Sequence, residues 1–190
     1  MKYDKSYLRK KFLLRRKKGY LLHQKFNFNL IFKIIKKHFH SKKISIAGYY
    51  PSNYEVDILN FLIEASNKKF KILLPAVLSS TKMSFKQWIV KEPLYVSRFG
   101  ILEPKKANME ITPDLVLVPL VAFDNNLNRI GYGKGYYDRK LKKIRIVKKK
   151  SVFLGVAHSY QKSKSIPVNN YDFKLDYIFT ERGIISSKKV

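Results

Sequence analysis

The sequence contains no cysteine among its 190 residues. That absence removes any disulfide framework, thiolate nucleophile or cysteine-based zinc site, and makes a reducing compartment the natural setting. Acidic side chains are scarce: 13 Asp and Glu face 40 Lys and Arg, a formal net charge of +27. No apolar run approaches the roughly 20 residues that span a bilayer. The strongest, Leu115 to Phe123, has nine and is interrupted by Pro119. Met1 to Gly19 is studded with basic residues and lacks the apolar stretch of a secretory signal. A cytoplasmic protein that neither crosses nor needs a membrane is expected. His23, His38, His40 and His158 show neither metal-ligand spacing nor a catalytic pairing.

A length of 190 residues with 45% hydrophobic content suits one globular domain, 1–190, with a single sizeable core. The positive charge invites a nucleic-acid reading. However, the basic residues are 32 Lys and only eight Arg, amid abundant Ile, Asn, Tyr and Phe, a mixture that AT-rich codon usage produces. Nucleic-acid interfaces favour the planar Arg fork, and no RNA-binding or zinc-finger signature is present, so no dedicated nucleic-acid partner is expected. Residues 1–43 carry 15 basic groups and one acid, which reads as solvated helix surface.

The local patterns alternate between helix and strand. Asp4 is placed to cap a helix over Lys5 to Lys18, with Leu8 and Phe12 one turn apart and Gly19 as a stop. Ile31, Ile34, Ile35, His38 and Phe39 give a second amphipathic helix, Asn27 to His40. A buried strand, Ile44 to Tyr50, leads through Pro51-Ser52-Asn53 to a helix, Glu55 to Asn67, with Ile58, Leu59, Leu62 and Ile63 inward. Strands follow at Lys71 to Pro75 and Met83 to Ile89, and Phe99 to Lys106 reads as loop. Asp114 to Pro119 is nearly all apolar, as for a central strand covered on both faces. A helix over Gly135 to Ile144 and strands over Ser151 to Ala157 and Leu175 to Thr180 complete a three-layer α/β domain: a mostly parallel sheet flanked by helices.

The sharpest chemistry lies directly after the central strand, in the run from Phe123-Asp124 through Arg129-Ile130-Gly131-Tyr132-Gly133-Lys134-Gly135-Tyr136-Tyr137-Asp138-Arg139. Ligands of open α/β sheets gather at the carboxyl ends of strands, and a glycine-rich turn entering a helix aims backbone N–H groups at phosphate. Arg129 and Lys134 add charge that neutralises transferred phosphate, and Asp138 is placed for Mg²⁺. No Ser or Thr follows Gly-Lys as in the Walker loop, and Tyr136 occupies the third glycine of the dinucleotide fingerprint. A structural hairpin is the competing reading of the glycines alone.

The full set of motifs resembles the 5-formyltetrahydrofolate cyclo-ligase (methenyltetrahydrofolate synthetase) family. Matching segments are Lys5-Ser6-Tyr7-Leu8-Arg9, Ile44 to Glu55 with Val56-Asp57, Leu74-Pro75, Met83-Ser84-Phe85, Phe99-Gly100-Ile101-Leu102-Glu103-Pro104, the run from Val118-Pro119 to Arg139, and Pro167 with Asp172 and Leu175-Asp176. Three positions depart from the pattern: Leu127 replaces a turn glycine, Ile130 a common Leu, and Tyr171 a frequent His.

The resemblance implies a Rossmann-like fold and an ATP- and Mg²⁺-dependent ring closure acting on 5-formyltetrahydrofolate and its polyglutamates, in a monomer. It assigns Lys5, Arg9, Arg129 and the turn Gly131, Tyr132, Gly133, Lys134, Gly135, Tyr136 and Tyr137 to the nucleotide, with Arg129 and Lys134 in the catalytic role. Glu55 would bind the pterin donor edge, Tyr50, Phe99 and Tyr136 would wall the folate, and Tyr132 to Gly135 would touch it too. Asp138 and Asp176 would hold Mg²⁺. Two other functions remain on the table: a basic nucleotide- or RNA-binding protein without catalysis, and a same-fold ligase for another substrate.

Overall fold

The computed structural model describes residues 4–22, 24–40 and 43–187. Helix α1 (Lys5–Gly19) starts where the cap predicts, the Asp4 carboxylate accepting the Tyr7 amide at 2.6 Å. Its buried stripe is Leu8, Phe12 and Arg16, each one turn beyond the last. Gly19 is not in the left-handed region. It is needed because a Cβ there would lie 2.6 Å from the Tyr160 ring. Helix α2 (Asn29–His38) buries Ile31, Ile34 and Ile35, two residues shorter at each end than the periodicity predicts.

The central sheet has seven strands: β1 (Ser45–Ala47), β2 (Lys71–Val77), β3 (Met83–Gln87), β6 (Leu115–Pro119), β9 (Val152–Val156), β10 (Tyr177–Thr180) and β11 (Gly183–Ser186), in the order β11-β10-β9-β6-β1-β2-β3. The five inner strands are parallel, and the edge strands β3 and β11 run antiparallel to them. Helix α3 (Leu59–Asn67) joins β1 to β2, and α4 (Tyr136–Val147) lies between β6 and β9. On β6, Leu115 and Leu117 face the core beneath α2 and α3, whereas Val116 and Val118 face the core beneath α4. That two-sided burial explains the unbroken apolar run, and the three-layer, mostly parallel arrangement is the expected one.

Four local expectations are corrected. Helix α3 begins at Leu59, because residues 52–55 are spent on a turn with Asn53 and Tyr54 at positive φ. Ile63 faces solvent, and Phe61 and Ala65 are buried in its place. The Phe99–Lys106 loop contains β5 (Leu102–Glu103), which pairs with β4 (Tyr95–Val96). Strand β11 was not expected from the sequence pattern; it exists because β10 offers an edge for Gly183 to Ser186 to fold back upon.

Chain order puts β1 and β6 side by side, while the next crossover from β1 goes to β2 and that from β6 goes to β9, in opposite directions. The crevice between the carboxyl ends of β1 and β6 is thus a topological switch point, where open α/β sheets bind ligands. Helix α1 covers it, packing Leu8 and Phe12 on Val121, Ala122, Ile130 and Ile166.

Candidate active site

From the end of β6 the chain forms a small hairpin, β7 (Ala122–Phe123) and β8 (Arg129–Ile130). Buried Asp124 organises its tip, accepting the amides of Asn126, Asn128 and Ile166 at 2.9, 3.0 and 3.1 Å. Leu127, in the turn-glycine position, adopts φ 64°. The hairpin aims Arg129 inward, where Nη1 donates to Asp138 Oδ1 at 2.8 Å while its Nε, buried, has no partner. Burial pulls the Arg129 guanidinium below its ordinary value and Asp138 opposes that pull; an arginine stays charged regardless.

The glycines follow as a turn and not as part of the hairpin. Gly133 and Gly135 have φ of 97° and 67°, and Gly135 is the N-cap of α4 with no side-chain acceptor over the first-turn amides. The amides and the positive end of the helix dipole are thereby left to an anion. Arg9 of α1 lies over the turn: its Nε donates to the Gly131 carbonyl at 2.8 Å, and a Cβ on Gly133 would meet Arg9 Cζ at 3.2 Å. Lys5, one turn earlier on α1, pairs with Asp172. Lys134 is exposed at the apex, its carbonyl accepting from Arg139 Nη2 at 2.9 Å. The structure therefore places Arg9 over the turn that carries Lys134, across 122 positions of the chain, with Lys5 one turn away on α1 and Arg129 held by Asp138 at the start of α4.

Across the switch point, the turn after β1 presents Glu55. Its Oε2 accepts the Ser52 amide at 3.0 Å and hydroxyl at 3.3 Å, and its Oε1 accepts the Tyr132 hydroxyl at 2.9 Å. Burial pushes the Glu55 carboxyl above its usual range, against the pull of these hydrogen bonds and of Arg16. Phe99 and Tyr136 meet edge to face at 6.1 Å, as walls of one surface, with the Tyr136 hydroxyl donating to the Ser79 carbonyl at 3.2 Å. Tyr50 is half-buried just beyond β1. Tyr137 departs from its expected role: its ring packs on Phe85 at 6.2 Å and its hydroxyl is buried, so its side chain belongs to the core and only its backbone to the turn.

The two aspartates assigned to one Mg²⁺ do not meet. Asp138, in the first turn of α4, serves Arg129 and the Phe173 amide. Asp176 takes both oxygens to Arg145, near the last turn of α4, at 2.7 Å each, and one also to the Phe153 amide at 2.8 Å. About 10 Å of helix rise separates Asp138 from Arg145, and Asp176 lies with Arg145 at the amino ends of β9 and β10, whereas Asp138 lies by Arg129 beyond the carboxyl end of β6. No group of three metal-ligating side chains exists among the described residues. These carboxylates do not fit a shared metal site.

Sequence reasoning missed Arg16. It is 1% exposed, donates to the Leu120 carbonyl at 3.2 Å and to the Tyr132 hydroxyl, and stacks 5.4 Å from the Tyr132 ring centroid. The available signal was a cation on the apolar stripe of Leu8 and Phe12.

The model of the 5-formyltetrahydrofolate cyclo-ligase family matches residues 1–181. The 5-formyltetrahydrofolate cyclo-ligase of Mycoplasma genitalium is 31% identical over 185 residues, 92% of this chain and 96% of its own. That of Haemophilus influenzae is 29% identical over 137 residues, 69% of this chain and 72% of its own. An NMR structure of Aquifex aeolicus 5,10-methenyltetrahydrofolate synthetase superposes with a TM-score of 0.75 at 30% identity, covering 98% of this chain and 94% of that one. With the family match running from the first residues of α1 through β10, the chain belongs to the 5-formyltetrahydrofolate cyclo-ligase family.

Proposed function

We propose that the protein catalyses the ATP-dependent conversion of 5-formyltetrahydrofolate to 5,10-methenyltetrahydrofolate, with release of ADP and phosphate. The observation that carries this reading is Arg9 lying over the uncapped glycine turn at the start of α4, with Arg129 held by Asp138 in the first turn of that helix and Glu55 bonded to Tyr132 of the same turn. The formamide oxygen is a poor leaving group. Its attack on the γ-phosphorus breaks the bond to the β-phosphate oxygen and leaves an iminium phosphate. The folate N10 then attacks the formyl carbon, the C–O bond breaks, phosphate departs, and the N10 proton is lost. Such transfer demands positioning and charge, not a protein nucleophile.

In this mechanism the turn and the α4 N-terminus seat the phosphates, while Lys5 and Arg9 close over them from α1. Arg129 and Lys134 meet the charge of the transferring group. Glu55 accepts hydrogen bonds from the pterin N–H donors, and Phe99, Tyr136 and Tyr50 enclose the rings. The reading includes a monomer that works in the cytoplasm on 5-formyltetrahydrofolate and its polyglutamates. The test is direct: purified protein with 5-formyltetrahydrofolate, ATP and Mg²⁺, followed by methenyl absorbance and ADP release. Equal amounts of both products are expected, and folded protein that yields neither overturns the reading.

A further inference from the structure

A guanidinium on the core-facing stripe of α1 is a physical anomaly, since a buried cation loses hydration that an apolar residue there would not. Arg16 continues the Leu8–Phe12 stripe, yet its Nη2 leaves the apolar contacts and donates to the Tyr132 hydroxyl in the middle of the glycine turn. That hydroxyl in turn donates a hydrogen bond to Glu55 Oε1 at 2.9 Å, so three elements meet in one chain of hydrogen bonds: α1, the turn before α4, and the turn after β1. The second Arg16 contact, Nη1 to the Leu120 carbonyl at 3.2 Å, ties the same side chain to the end of the central strand.

We propose that Arg16 is a positioning residue for folate recognition, supplying through Tyr132 the counter-charge and the aim of Glu55. The inference rests on the reading of Glu55 as the folate carboxylate. Groups that face Glu55 from every side are Arg16 on α1, Tyr132 in the glycine turn, Tyr137 on α4, and Tyr49 and Ser52 beside β1. Burial pushes the three phenols well above their ordinary range, so they are neutral in working conditions. Arg16 is therefore the charge that opposes the upward push of burial on Glu55. An ionised Glu55 offers acceptors to paired N–H donors, whereas a protonated one spends an oxygen as a donor and mismatches them. Tyr132 transmits the effect as a geometric spacer, because its ring is held by the cation beneath and its hydroxyl is fixed between two partners.

The experiment is equilibrium binding of 5-formyltetrahydrofolate without ATP, followed by titration calorimetry across pH, with a non-hydrolysable ATP analogue measured in parallel and thermal unfolding as the folding control. Tyr132→Phe and Arg16→Met are expected to weaken folate binding by about tenfold or more, as loss of a charge-assisted hydrogen bond does. Analogue binding should fall by less. Losing the counter-charge raises the Glu55 pKa further, so the acid limb of folate binding should move to higher pH. Arg16→Lys, which keeps the charge without the fork, should restore part of the affinity. If Arg16→Met does not fold, Tyr132→Phe carries the test, since it removes only a hydroxyl. Parallel losses for folate and analogue, or an unmoved acid limb, overturn the positioning role. Glu55→Gln separates the layers: unchanged folate affinity there means that the folate reading of Glu55 is wrong and the inference falls with it. Weakened binding in Glu55→Gln alone overturns only the role of Arg16.

Discussion

At the scale of single residues, the site is shaped by side chains whose surroundings set their cost. Leu127 is 1% exposed and sits at φ 64°, so it packs the core from a backbone region that L-residues avoid. Its strain and its burial oppose one another. Glycine would relieve roughly 1–3 kcal/mol of strain but leave a cavity worth about 2–5 kcal/mol, so Leu127→Gly should be net destabilising in chemical denaturation. Asp138 is the second case. Its carboxylate balances Arg129, whose side chain is 3% exposed. Asp138→Asn keeps the shape and removes the balancing charge, and breaking a buried pair in this way costs on the order of 3–5 kcal/mol. The expected result is a lowered melting temperature with or without Mg²⁺. A parent-like melting temperature with a raised Mg²⁺ requirement would instead make Asp138 a metal ligand.

At the scale of elements, α1 carries three of the cations that matter, Lys5, Arg9 and Arg16, and docks through a narrow stripe. Leu8 and Phe12 are 5% and 3% exposed, and the remaining faces are mostly Lys and Arg. A helix of 15 residues is marginal by itself, so its position depends on that docking. Phe12→Ala removes about 3–5 kcal/mol of packing if the site does not collapse. The loss should appear as local opening: faster amide exchange in α1, unchanged protection in β6 and β9, and a raised KM for ATP. Uniformly faster exchange across the sheet would show that α1 is part of the global folding unit and not a separately docked cover. Helix α4 plays the fixed counterpart, since Leu141 and Ile144 lock it to the sheet behind the turn it presents.

At the scale of the whole molecule, the net charge of +27 acts in two opposing directions. It steers anionic ligands toward the carboxyl ends of the central strands, and it repels itself in the compact state. Salt screens both, with a Debye length of about 30 Å at 0.01 M and about 10 Å at 0.1 M. Raising ionic strength with a non-chelating salt over that range should lower kcat/KM and raise the melting temperature together. A melting temperature that falls instead would mean that the seven described ion pairs, and not the unpaired excess of Lys, dominate the electrostatics of folding.

Periodicity and spacing by themselves determined the four helices, the central run of β6 and the glycine turn, because each is written in neighbouring residues: a 3.6 repeat, a two-sided apolar strand, alternate glycines entering a helix; the fixed string from Arg129 to Asp138 carried the resemblance to the family. The same local information placed Lys5 and Arg9 one turn apart, hence on one face. Which face α1 turns toward the sheet, and what waits there, was decided only by tertiary packing. Arg9 meets Gly131 and Arg16 meets Tyr132 across 122 and 116 residues, and no short-range pattern encodes a partner so distant. The aspartates make the point from the other side. Asp138 and Asp176 look alike as motif carboxylates, yet one faces buried Arg129 at the start of α4 and the other Arg145 near its end. The rise of that helix, not the spacing in the chain, holds them on separate arginine partners.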